Sequence, residues 1–116
     1  MKIYYTSFAT HNYGGALKNN KRLAKEALDI GGVTDTKLFR EADIPHYLKH
    51  ADNLFKNVKC IYPRLRNSKY FVWKPQVILK MFHSIDKGDV VIYHDAGRSC
   101  YNYKIDIPLR PFCEYV

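Results

Sequence analysis

Apolar and polar positions change period several times along this chain, and each change predicts an element. Residues Lys2 to Ala9 are rich in Ile, Tyr, Phe and Thr and give way to a polar, glycine-containing stretch, His11 to Gly15. Branched and aromatic side chains suit a pleated, buried surface, so this reads as a first strand running into a loop. From Ala16 to Ile30 the apolar residues Leu17, Leu23, Ala24, Ala27 and Leu28 recur at helical spacing, with Lys18, Lys21, Arg22, Lys25 and Glu26 between them. That pattern predicts an amphipathic helix, stopped by Gly31 and Gly32. Thr36 to Phe39 reads as a short second strand, Arg40 to Pro45 as a connection, and Tyr47 to Lys56 keeps a loose helical spacing through Leu48, Ala51 and Phe55.

The best-defined element starts at Pro75, because a proline at the first helical position loses no hydrogen bond. Val77, Ile78, Met81, Phe82 and Ile85 mark one face of that helix, and Gly88 ends it. Val90-Val91-Ile92-Tyr93 follows as a continuous apolar run, the kind buried on both faces of a parallel sheet. Ile105-Asp106-Ile107 alternates as a further short strand, and Pro108 and Pro111 predict an irregular tail. Strands alternating with helices in this order predict an α/β fold: a Rossmann-like, mostly parallel sheet with flanking helices, in one domain spanning residues 1–116. Ligands of such sheets bind beyond the carboxyl ends of the strands, which is where Thr6 to Gly15 and His94 to Asn102 fall.

Composition narrows the partner. The chain has 116 residues, enough for one compact domain, and 47% apolar with 26% charged residues is globular usage. Nineteen Lys and Arg against eleven Asp and Glu leave a formal charge of +8, which favours an anionic partner such as a nucleotide, an acidic glycan or nucleic acid. The cations are scattered and no nucleic-acid-binding motif is present, so a basic nucleic-acid-binding protein ranks last and no specific nucleic acid is expected. Cys60, Cys100 and Cys113 are odd in number and far apart, which supports free thiols over a disulfide framework or a zinc site. Without a signal-peptide pattern or a transmembrane-length apolar window, the expected location is cytoplasmic.

Asp95 ends the apolar Val90–Tyr93 run, where a carboxylate is either a turn residue before Ala96-Gly97 or a ligand-edge group able to hold Mn2+ or Mg2+ together with substrate phosphates. The wider context favours the second use. Arg66-Asn-Ser-Lys-Tyr-Phe-Val-Trp73-Lys74-Pro75, followed by Lys87-Gly88-Asp89-Val-Val-Ile-Tyr93-His94-Asp95-Ala96-Gly97, resembles a group of GT-A type glycosyltransferases. That group carries an Arg-Gly-aromatic-Gly-Tyr-Trp-x-Trp-Lys-Pro segment, a helix, and then Gly-Asp, a hydrophobic strand and Tyr-x-Asp-Ala-Gly. Asn20 to Ala27 and Leu38 to Ile44 also resemble its first helix and the strand after it, so the likeness runs from residue 2 to about residue 102.

The resemblance implies a minimal GT-A nucleotide-binding half and a glycosyltransferase that takes a nucleotide diphosphate sugar, UDP-sugar favoured. It would pass a hexose to a glycan or protein-glycan acceptor in viral or bacterial glycan synthesis, in the host cytoplasm if viral. By matching position, Thr6 and Ser7 would meet the nucleobase, and Arg66, Lys74 and Asp95 would bind the nucleotide sugar, with Asp95 as the metal ligand. Gly97 stands where Asp-x-Asp enzymes carry their second acid, which leaves fewer protein oxygens for a metal. Only Arg98 to Val116 follow the motif, with Asp106 and Glu114 as their only acids, so no catalytic base is assigned. That shortness suggests two arrangements: completion by a homo-oligomer or partner, or a non-catalytic nucleotide-sugar-binding module or truncated remnant.

Overall fold

Three parallel strands in the order β2-β1-β3 organise the computed structural model, which describes residues 1–9, 15–44, 73–95 and 103–114. They are β1 (Ile3–Phe8), β2 (Asp35–Phe39) and β3 (Val90–Tyr93). Tyr4 lies opposite Asp35 on one side of β1, and Ile3 opposite Val90 on the other. Helix α1 (Ala16–Asp29) joins β1 to β2, and helix α2 (Trp73–Ser84) precedes β3. The sheet with its flanking helices is an α/β arrangement. The helix expected over Tyr47 to Lys56 and the polar stretches 10–14 and 96–102 lie outside the described residues. No helix among the described residues is long and apolar enough to cross a membrane.

Alternation along β1 divides the core, because successive side chains leave a strand on opposite faces. Ile3 and Tyr5 join Leu23, Ala24 and Ala27 of α1 together with Val33, while Phe8 joins Phe39, Ile44, Val77 and Met81 beneath α2. On α2 Val77 and Met81, with Ile85 just past its end, pack toward the sheet; Phe82, expected on that face, is 56% exposed. This helix also begins two residues before Pro75 and ends at Ser84, short of Gly88.

The Val90–Tyr93 run departs from expectation. Its side chains do pack toward both faces, with Val90 and Ile92 on one and Val91 and Tyr93 on the other, but all four are half-buried. The reason is position, since among the described residues β3 pairs with β1 alone and no strand covers its other side. A second correction concerns the tail. Ile105–Ile107 forms no strand: Ile105 anchors an irregular segment against the α1 cluster while Ile107 is exposed. Nor is the tail irregular throughout, because Arg110–Cys113 form a helical turn, α3, with Pro111 at its start, where a missing N–H costs little. Leu109 and Cys113 pack into the same cluster, and burial pushes the Cys113 thiol up from its ordinary value.

The tail fixes the chemistry of the α1 terminus. The Leu109 amide donates to the Gly31 carbonyl at 2.8 Å, and the Arg110 guanidinium to the Met1 carbonyl at 3.1 Å. A Cβ on Gly31 would stand 2.7 Å from the Ala27 carbonyl oxygen and 3.0 Å from Leu109 Cδ1. Gly31→Ala therefore lowers stability by about 1–3 kcal/mol, the usual cost of overpacking, measured by urea unfolding. A variant as stable as the wild type would show that the tail is not seated there.

At the same end of the sheet, the Asp89 carboxylate accepts the Lys2 amide at 3.0 Å and the Asp86 amide at 3.1 Å. Its pKa is lowered from 3.8, chiefly by the Lys2 backbone N–H; partial burial opposes this, and the Asp86 N–H and nearby positive charge assist it. A carboxylate depressed in the folded state stabilises fully above its unfolded value and loses that contribution as pH falls through the folded value. Asp89→Asn is accordingly less stable than wild type at pH 7, and the gap closes on acidification below pH 3.8. A gap independent of pH in thermal melts would contradict this role.

Candidate functional site at the carboxyl edge of the sheet

Parallel strands bring Ala9, Arg40 and His94 to one edge, where the Ala9 amide donates to the Phe39 carbonyl and the His94 amide to the Thr6 carbonyl, each at 3.2 Å. Two hydroxyls fasten this edge from inside. Thr6 Oγ1 donates to the Lys37 carbonyl at 2.8 Å, and Ser7 Oγ donates to the His94 carbonyl. Thr6 thus ties β1 to β2, and Ser7 ties β1 to the end of β3. Both side chains are fully buried, where an unpaired hydroxyl would cost roughly 1–3 kcal/mol. Neither hydroxyl is presented to solvent.

Lys74 and Asp95 come together at this edge. The Lys74 ammonium lies 3.1 Å from Asp95 Oδ2, although the residues are 21 apart in sequence. Each is positioned by its own element: Lys74 in the first turn of α2, and Asp95 just past β3, which pairs with β1 through Tyr93. A lysine in a first turn opposes the positive end of the helix dipole, and the carboxylate offsets that penalty. The side chains are 37% and 54% exposed, so the pair is worth only about 0.2–1 kcal/mol and exchanges readily for another anion.

His94 takes the other side. Its ring meets Tyr103 edge-on, with centroids 5.8 Å apart and an interplanar angle of 76°, while Asp95 turns toward α2. His94 Nδ1 is buried with no hydrogen-bond partner among the described residues. Tyr103 was not legible as an edge residue, because its contact depends on the path of the tail. Arg40 is a further exposed cation at the end of β2, its amide held by Asp43 at 2.7 Å. Its signal in the sequence was its place directly after the strand residue Phe39.

α1 also starts here, from Gly15 at φ 71°, with no side-chain cap and no acid in its first turn. Arg66 lies outside the described residues. Among the described residues no group of three or more His, Cys, Asp or Glu is placed to hold a metal ion. Asp95 offers a single carboxylate, so an ion bound there would draw its remaining ligands from a diphosphate and water, a supply magnesium commonly accepts. Comparison with known proteins brings no relative to these residues: no family model, no curated protein and no solved structure matches the chain.

Proposed function

We propose that the chain is the donor-binding part of a glycosyltransferase, with a Rossmann-like, GT-A type sheet and a nucleotide diphosphate sugar, UDP-sugar favoured, as its substrate. The observation that carries this reading is the meeting of Lys74 and Asp95 at 3.1 Å, since each belongs to a different half of the motif pair that suggested it. Lys74 sits where a helix N-terminus and an ammonium act on the same anion. In this reading the incoming diphosphate displaces Asp95 from Lys74, and the lysine then stabilises the charge that develops on the leaving diphosphate as its bond to the anomeric carbon breaks and the acceptor oxygen bonds there instead. Asp95, released, would hold Mn2+ or Mg2+, whose chemistry is further neutralisation of that diphosphate. Thr6 and Ser7 keep the strand ends in place beneath the nucleoside.

A second reading, a module that binds the nucleotide sugar without turning it over, draws on the placement of the acids. Glu114 follows the turn that ties Leu109 to Gly31 and Arg110 to Met1 at the opposite edge of the sheet, and Asp106 pairs with Lys104 at 3.8 Å. With Asp95 assigned to the metal, no second carboxylate among the described residues pairs with Lys74 to act on an acceptor hydroxyl, so turnover would call on residues from a second copy, from a partner or from outside the described residues.

Titration with uridine and guanosine diphosphate sugars, with and without manganese, tests the proposal, and binding of none of them rejects it. Lys74→Ala weakens UDP about tenfold, the effect of losing one charged hydrogen bond of ~1.4 kcal/mol, and leaves uridine unchanged. An equal loss for both ligands removes Lys74 from the phosphate site. Asp95→Asn removes the carboxylate charge beside Lys74, so calorimetry shows UDP binding retained without metal while the gain on adding manganese disappears. Persistence of that gain would exclude Asp95 as the ligand.

A further inference from the structure

We propose that the outward face of α1 binds an anionic glycan chain, an assignment of acceptor class that rests on the glycosyl-transfer reading above. Lys18, Lys21 and Lys25 are all exposed. At 3.6 residues per turn and 1.5 Å rise they fall within about 60° of one another and span about 10 Å of the helix. They lie opposite the buried face formed by Ala16, Asn20, Leu23, Ala24 and Ala27. No ion pair among the described residues includes any of the three. Arg22, by contrast, is held by Glu26 at 2.8 Å and by the Asn19 side-chain oxygen at 2.6 Å.

This arrangement costs the helix stability. Like charges three and four apart repel by about 0.2–0.5 kcal/mol per pair, and Lys18 stands near the positive end of a dipole that no acid or side-chain cap relieves. A helix that needed only a solvated face would be better served by mixed signs, yet Glu26 and Asp29 are its only acids and both lie toward its far end. A bound polyanion relieves both penalties.

The remaining residues of the face define the class. Besides the lysines, α1 exposes only Leu28 and Asp29, with no aromatic ring on which a base could stack. Duplex DNA presents one charge per about 1.7 Å of axis, far denser than three lysines over this length. Carboxylates borne a sugar ring or more apart match the lysines better. Because α1 begins at the carboxyl edge, a glycan laid along it runs to the Lys74–Asp95 end of the sheet.

The test uses the whole chain, a polyuronate oligosaccharide, its methyl-esterified neutral form, and a duplex DNA of matched total charge. The wild type binds the polyuronate in low salt and not the ester. K18Q/K21Q/K25Q loses tenfold or more in affinity and shows a shallower salt dependence, whereas K18R/K21R/K25R keeps binding, and circular dichroism confirms that α1 stays helical in both. Equal polyuronate affinity for the glutamine variant and wild type, or tighter binding of the DNA than of the polyuronate, overturns the proposal. UDP-sugar titration of the same samples separates the two ideas. Failure to bind any donor sinks the glycosyl-transfer reading, while lysine-dependent polyuronate binding would still stand.

Discussion

Strand β1 carries the rest of this structure because it is paired along both edges, and each helix packs on one of its two faces. Its backbone satisfies β2 on one side and β3 on the other, and its side chains supply Ile3 and Tyr5 to one half of the core and Phe8 to the other. The polar pair Thr6-Ser7 near its carboxyl end looks costly in so buried a strand. Each hydroxyl donates to a carbonyl of a neighbouring strand or its end, so the pair reinforces the ladder where pairing is about to stop. The positions of Lys74 and Asp95 follow, since β3 aligns on β1 and α2 packs over it.

Those parts of the fold set by short-range periodicity were legible in the sequence. α1 was expected over 16–30 and occupies Ala16–Asp29, and β2 was expected over 36–39 and occupies Asp35–Phe39. The misreadings share one physical origin. An apolar run such as Val90–Tyr93 reports that both faces are covered, not how many strands lie beside it, so its pairing with a single described strand is not legible from the run. The Ile-Asp-Ile alternation at 105–107 reports one buried side chain in two, and an irregular segment anchored by Ile105 satisfies that as well as a strand does.

The candidate site was legible in part for a related reason. The sequence points to Lys74 through the Trp-Lys-Pro segment of the resemblance and to Asp95 through its place at a strand end, each without reference to the other. Their meeting follows only once α2 packs on the sheet. Thr6 and Ser7 were recognised as residues of the strand end, but their hydroxyls turn inward to carbonyls, and no local pattern distinguishes a hydroxyl that pairs within the sheet from one offered to a ligand. Arg40 and Tyr103 depend on where the chain goes after a strand, which periodicity does not encode.

The two ends of the sheet differ in how firmly their polar groups are committed. At the amino end, Asp89 accepts two backbone amides, Thr34 exchanges hydrogen bonds with Ile3, and the tail is tied to Gly31 and Met1. Backbone groups cannot leave without unfolding, so this end is structural. At the carboxyl end, beside the exposed Arg40, Lys74 and Asp95 face solvent as two side chains that can part without disturbing a strand. An anion arriving there competes with a weak surface pair rather than with the fold, and the helix N-terminus behind Lys74 favours it. That asymmetry leaves the amino end to hold the sheet together, and under the proposed reading it gives ligand exchange to the carboxyl end.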